Sequence, residues 1–142
     1  MLICLTYQKI EKWHANCLAS GMKIMIVDDS SIMRRAITKY LAPLGYEVVG
    51  TASNGQDALQ LYQENPADLV TLDITMPQMD GLACLQALKG LNPRVRVLVI
   101  SALSDSQTGL KALKLGAQSF LPKPFTEAQL VNEIQRVAGV QK

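Results

Sequence analysis

The sequence predicts an α/β domain of five strand-then-helix units, a parallel sheet with helices on both faces. Past Met22, short apolar runs of strand length alternate with segments whose apolar residues repeat at helical spacing. The run Val97–Ile100 is continuous Val, Leu and Ile, as expected of a strand buried on both faces. Several of the runs end in a residue with chemistry to offer: Asp28 and Asp29, Asp73, Ser101, and Lys123 just past the last one. In a parallel α/β sheet ligands bind at the carboxyl ends of the strands, so these residues should converge at one edge.

The elements follow in order. The first strand covers residues 23–28. Ser30 or Ser31 caps a helix that runs to Ala42, where Pro43 and Gly45 stop it. Within that helix Ile32, Met33, Ala36, Ile37, Tyr40 and Leu41 recur at helical spacing. The second strand is Glu47–Ala52, and a helix from Gly55 to Glu64 ends at Asn65-Pro66. The third strand is Asp68–Leu72, followed by a helix over Leu82–Lys89 that Gly90 and Asn92-Pro93 terminate. The fourth strand is Val95–Ile100, and its helix spans Ser106–Leu115 before Gly116. The fifth strand, Ser119–Leu121, is short. Thr126 caps a last helix that runs to Ala138.

At 142 residues, 49% hydrophobic and 18% charged, the chain has the size and composition of one globular domain, outside the disordered class. A formal charge of +2, with Lys and Arg dispersed, gives no footprint for nucleic acid, and no run approaches the roughly 18 apolar residues of a membrane span. Cys4, Cys17 and Cys84 form an odd set without metal spacing and read as free thiols of a reducing cytosol. His14 is the only histidine and precedes the domain, which excludes a Ser-His or Cys-His catalytic pair within it. Residues 1–21 hold the only Trp and differ in character from the rest. They read as an N-terminal extension, a disordered tail or an upstream-start artefact, with a partner-binding arm as the alternative. The domain itself is read as residues 22–142.

Asp28 and Asp29 are adjacent carboxylates at a strand end, and Asp73 ends another buried-looking strand. Three carboxylates in one small space repel one another and raise each other's pKa unless a cation intervenes. Magnesium fits such a set, because it takes one or two carboxylates, keeps waters and completes its octahedron with a phosphoryl oxygen. A carboxylate is also a nucleophile toward phosphorus. Lys123, held between Pro122 and Pro124, is a compact charge for a phosphoryl oxygen, and the hydroxyl of Ser101 can donate to the same group. Phe120 reads most simply as a core aromatic.

The pattern Val27-Asp28-Asp29-Ser30, then Asp73-Ile74-Thr75-Met76-Pro77 with Asp80-Gly81, then Ser101-Ala102 and Lys123-Pro124-Phe125 resembles the receiver domain of bacterial two-component response regulators. The resemblance covers 22–140. The stretches around Ser30-Ser31-Ile32-Met33-Arg34 and Asp73-Ile74-Thr75-Met76-Pro77 look most like stand-alone chemotaxis regulators of the CheY type. It implies the flavodoxin-like (βα)5 fold with strand order 2-1-3-4-5. It also implies a phosphoacceptor at Asp73 and a Mg2+ site made by Asp29, Asp28, Asp73 and the backbone carbonyl of Thr75. Lys123 would pair with the phosphoryl group, Ser101 would turn inward to it, and Phe120 would be the switch aromatic that moves into the space Ser101 vacates. Ser101 stands where many members have Thr, and Phe120 where chemotaxis types often have Tyr. Ser keeps the hydroxyl; Phe lacks one that could contact a partner.

The function so implied is a single-domain, cytoplasmic response regulator. A histidine kinase would phosphorylate it on Asp73, and its surface of helix four, strand five and helix five would then bind a target such as a flagellar switch component. No output domain follows Lys123 within the sequence, so output would run through partner binding. DNA and membrane are not expected partners, and the expected state is a monomer, with dimerisation on activation open. The chain would catalyse only its own phosphorylation and dephosphorylation. One alternative is a phosphorelay intermediate or phosphate sink not directed at a motor. Another is an aspartate-nucleophile phosphatase, but that chemistry wants an acid two residues after the nucleophile, where Thr75 stands. A third, a degenerate receiver acting as a constitutive interaction module, conflicts with the intact set of acids, hydroxyl and lysine.

Overall fold

The computed structural model describes residues 22–74, 81–102 and 106–139. Strands β1 (Lys23–Val27), β2 (Glu47–Ala52), β3 (Leu69–Asp73), β4 (Arg96–Ala102) and β5 (Ser119–Lys123) form one sheet in the order β2-β1-β3-β4-β5. Every pairing is parallel. Helices α1 (Ser31–Leu41), α2 (Gly55–Glu64), α3 (Gly81–Leu91), α4 (Ser106–Lys114) and α5 (Glu127–Ala138) connect and follow the strands. The expected flavodoxin-like architecture is the one observed.

The pleat sorts side chains onto two cores. Met25, Val27, Val70, Leu72, Val97 and Val99 face Ala58, Tyr62, Leu85, Leu88 and Ala112 of α2, α3 and α4. The alternate residues Ile24, Ile26, Leu69, Leu98, Ile100 and Leu121 face Ile37 and Leu41 of α1 and Leu130, Ile134 and Val137 of α5. Strands sandwiched this way are apolar at most positions, so β1, β3 and β4 are mainly Val, Leu, Ile and Met, with Thr71 of β3 the buried polar exception in mid-strand. Each fully buried aliphatic side chain contributes about 1.5–3 kcal/mol. No helix among the described residues is long and apolar enough to cross a membrane.

The caps are those the sequence suggests. Ser30 Oγ accepts from the N–H of Met33 at 3.2 Å, and Thr126 and Gln129 form a reciprocal capping box. Such caps are worth about 1 kcal/mol each. Pro43 does not end structure abruptly: Ala42–Leu44 forms a 3-10 turn after α1, closed by Gly45 at φ 83°.

Some boundaries differ from the sequence reading. Asp68 lies outside β3 because it closes the bottom of the sheet, its carboxylate accepting from the N–H of Lys23 at 2.9 Å. Helix α3 runs through Gly90 to Leu91, and Asn92 then anchors to the Tyr62 hydroxyl at 2.9 Å. Strand β4 starts at Arg96 and reaches Ala102, beyond the expected end at Ile100. Strand β5 continues through Pro122 to Lys123, since a proline is tolerated in an edge strand.

Helix α5 is tied to the sheet by polar contacts as well as by its apolar face. The Arg136 guanidinium pairs with the Glu133 carboxylate and donates to Ser119 Oγ at 2.8 Å, while the Ser119 hydroxyl donates to Glu133. Arg96 Nη1 donates to the carbonyl of Ala138 at 2.7 Å. Partial burial pushes the Glu133 carboxyl up, but hydrogen bonds from Arg136 and Ser119 outweigh it and hold the pKa below the ordinary 4.5.

Two predictions follow from this packing. Thr71 is fully buried in β3, and its hydroxyl finds no hydrogen-bond partner among the described residues. Thr71→Val should therefore raise stability by about 1 kcal/mol, read as a higher urea midpoint at unchanged slope; a lower midpoint would show that the hydroxyl is satisfied. For Glu133, a depressed folded pKa means stability that is present above the unfolded value of 4.5 and lost as pH falls through the folded value. The stability gap between wild type and Glu133→Gln should thus close on acidification below that value, and a gap independent of pH would contradict the pairing.

Candidate functional site

Strand parity explains why the charged residues meet. Asp28 follows Val27, and Asp73 follows Leu72, which pairs with Val27 in register; Asp73 itself pairs with Ile100. Asp28 and Asp73 thus occupy the same row on adjacent strands at the carboxyl edge of the sheet, one residue past the apolar core. Lys123 ends β5 opposite Ala102, and its long side chain reaches back over the edge. Its ammonium lies 3.1 Å from Asp28 Oδ2 and 3.3 Å from Asp73 Oδ2. Both carboxylates are 1% exposed, whereas Asp29 is exposed. Carboxylate oxygens of Asp28, Asp29 and Asp73 all lie within 4.8 Å of one another.

The electrostatics show an acidic pocket that one lysine does not neutralise. The Asp28 pKa is raised, first by burial and then by Asp73. The N–H of Ser30 donates to Asp28 Oδ1 at 2.9 Å, and that bond, with Lys123, pulls the other way without prevailing. Burial is also the largest influence on Lys123 and disfavours its charge, but Asp73 and Asp28 together outweigh it and raise its pKa. A simple ion pair would depress the acid; the opposite sign at Asp28 reflects burial and a second carboxylate. Three carboxylates against one ammonium suit a hard divalent cation with oxygen ligands.

Ser101 is fully buried one residue beyond Ile100, the register partner of Asp73. Its hydroxyl has no hydrogen-bond partner among the described residues, which leaves a donor beside the acids. Phe120 of β5 pairs with Val99 of β4 and packs partly buried on the α2–α3–α4 face. It thus packs against that core, as the reading of a core aromatic expects, at its partly exposed rim. The Lys123–Pro124 peptide is cis. Thr75 and Asp80 lie outside the described residues.

The structure gives physical roles to two residues that the sequence reading named only as parts of motifs. Arg34 Nη1 donates to the backbone carbonyl of Asp28 at 2.7 Å, fixing the turn between β1 and α1. Only its place one helical turn after Ser30 hinted at this. Gly81 is needed for space, since a Cβ there would lie 2.1 Å from Ile74 Cα, directly after the acidic strand end.

Comparison with known proteins agrees with this geometry. The family model described as response regulator receiver domain matches residues 24–135. The chain is 36% identical over 118 residues to the chemotaxis protein CheY of Thermotoga maritima, covering 83% of this chain and 98% of that one. It is 39% identical over 114 residues to the chemotaxis protein CheY of Bacillus subtilis, covering 80% and 95%. Among solved structures, the CheX-CheY-BeF3-Mg+2 complex from Borrelia burgdorferi superposes with a TM-score of 0.78 at 35% identity, covering 82% of this chain and 88% of that one. By sequence, strand order and the placement of its acids, the chain belongs to the response regulator receiver domain family and is CheY-like.

Proposed function

We propose that residues 22–142 are a phosphoacceptor switch, that residues 1–21 are an extension outside it, and that Asp73 carries the phosphoryl group. The observation that supports this best is the Lys123 ammonium poised between two buried carboxylates, near a Ser101 hydroxyl that has no hydrogen-bond partner among the described residues. An oxygen of Asp73 forms the new P–O bond as the P–N bond of a kinase phosphohistidine breaks, and the imidazole leaves with the electron pair. Lys123 holds a phosphoryl oxygen through the transfer.

Asp28, Asp29 and Asp73, with the carbonyl of Thr75, are the residues that would hold Mg2+. The metal would supply charge neutralisation between the anionic acceptor and the incoming phosphoryl group. The product carries about one more negative charge than the carboxylate. That charge draws the Ser101 hydroxyl toward the phosphoryl group, and Phe120 moves into the space beside it. A two-state equilibrium at the α4–β5–α5 surface is biased in consequence.

This surface offers apolar area to a partner. Leu110 and Leu113 of α4 are 60% and 41% exposed, whereas Leu130 of α5 is fully buried and belongs to the core. We read the partners as a histidine kinase and, by likeness to chemotaxis proteins, a flagellar switch component, with the protein working in the cytoplasm as a monomer at rest. It is a switch that catalyses only its own phosphorylation and dephosphorylation.

Asp73→Asn should abolish magnesium-dependent labelling by acetyl phosphate while leaving the circular dichroism spectrum and unfolding midpoint near wild type; labelling that persists would place the acceptor elsewhere. Full-length bait loaded with magnesium and beryllium fluoride should recover a flagellar switch protein from the source lysate, and metal-free bait should not. Recovery of a histidine phosphotransfer protein without any motor component would instead make the chain a relay element or phosphate sink.

A further inference from the structure

Gly109 occupies the interior of α4 on its buried side. Glycine in a helix interior destabilises relative to alanine, so its presence needs a reason. Backbone conformation is not the reason: the positive-φ glycines are Gly45, Gly116 and Gly139. Space is. A Cβ at position 109 would lie 2.7, 2.8 and 2.9 Å from Cε1, Cδ1 and Cζ of Phe120. Real Cβ atoms do not approach carbon that closely, so the edge of the Phe120 ring rests on α4 where a side chain is missing.

The ring and Ser101 share one face of the sheet. Phe120 pairs with Val99, and Ser101, two residues beyond Val99, pairs with Pro122. Side chains two apart on a strand project to the same side. Phe120 therefore leans on Gly109 and has as its diagonal neighbour the buried Ser101, whose hydroxyl finds no partner among the described residues.

We propose that Gly109 is a positioning residue for Phe120: its bare backbone is the seat that keeps the ring against α4 until the Ser101 hydroxyl is drawn toward a phosphoryl group on Asp73. The inference rests on the reading of Asp73 as acceptor and assigns the resting position of the switch to one atom-sized gap. Adding a methyl group at 109 abolishes the seat. A ring pushed into water would expose apolar area, whereas a ring moved toward Ser101 stays covered. Gly109→Ala therefore shifts the ring inward before any phosphoryl group arrives. The apparent affinity for a phosphoryl mimic then rises with the population of the competent form. The same geometry couples α4 to the acceptor, because helix and ring cannot both keep their places when either moves.

The full chain contains two phenylalanines, Phe120 and Phe125, and Phe125 packs on the opposite core. Ring-labelled 13C-phenylalanine NMR thus reads Phe120 with an internal control. In the Gly109→Ala protein without ligand, the Phe120 signals should move toward the positions they take in wild type saturated with beryllium fluoride and magnesium. The Phe125 signals should stay. Apparent affinity for beryllium fluoride at fixed magnesium should tighten about threefold or more, and the gain should vanish in a Phe120→Leu background, where no ring meets the methyl.

Unmoved Phe120 signals, an unchanged or weaker affinity, or a gain that persists with Phe120→Leu would each overturn the proposal. Wild type that shows no magnesium-dependent binding of beryllium fluoride would instead overturn the acceptor reading. Substitution by alanine favours the helix itself, and the Phe120→Leu pair separates any loss of stability due to the ring from a general packing defect.

Discussion

Two carboxylates buried at the end of a sheet are an electrostatic liability, and the Lys123 ammonium, within 3.3 Å of both, is what makes Asp28 and Asp73 tolerable there. Removing a charge from water costs several kcal/mol unless another charge or hydrogen bonds compensate. Here the compensation is incomplete by construction, since Asp28 still has a raised pKa. A pocket with surplus negative charge, low dielectric and an idle hydroxyl has an unmet demand for a cation and for a group that accepts from Ser101. That demand is the physical content of the proposed chemistry. The Lys123 side chain can meet both acids only because β5 extends past Pro122 and β4 separates it from β3 by one strand width.

The two helices that flank β5 differ in how much of their surface they bury. Helix α5 presents Leu130, Ile134 and Val137 to the core and adds the Ser119–Glu133–Arg136 cluster and the bond from Arg96 to Ala138. Helix α4 contributes Ala112 to the buried core, carries a glycine at its centre and turns Leu110 and Leu113 outward. Apolar area that α4 does not spend on the sheet is available for a partner, and an element with little buried area is the one that moves at small cost. In the proposed switch, the acids sit at the carboxyl edge of the sheet, and the exposed leucines of α4 lie on the less buried of the two helices flanking β5.

The sequence by itself determined the order and type of the five strands and five α-helices, though not the 3-10 turn at Ala42–Leu44. Central strands buried on both faces are predominantly apolar, and amphipathic helices repeat near 3.6 residues, so both patterns stand in plain view between Lys23 and Ala138. It also marked Asp28, Asp29, Asp73, Ser101 and Lys123, because a charge or hydroxyl ending an apolar run is conspicuous and strand ends share an edge. Tertiary structure alone decided which acids are buried, that Lys123 bridges Asp28 and Asp73, that Arg34 braces the Asp28 carbonyl, and that Pro122 lies inside a strand. These depend on register, parity and neighbouring strands, which no local window contains. The Gly109 seat is the clearest instance: within α4 it reads as a weak helix residue, and its meaning is supplied by a ring eleven positions away that only the packing of α4 on β5 brings to it. Space left for a neighbour is invisible in a sequence, because the residue that explains it is somewhere else.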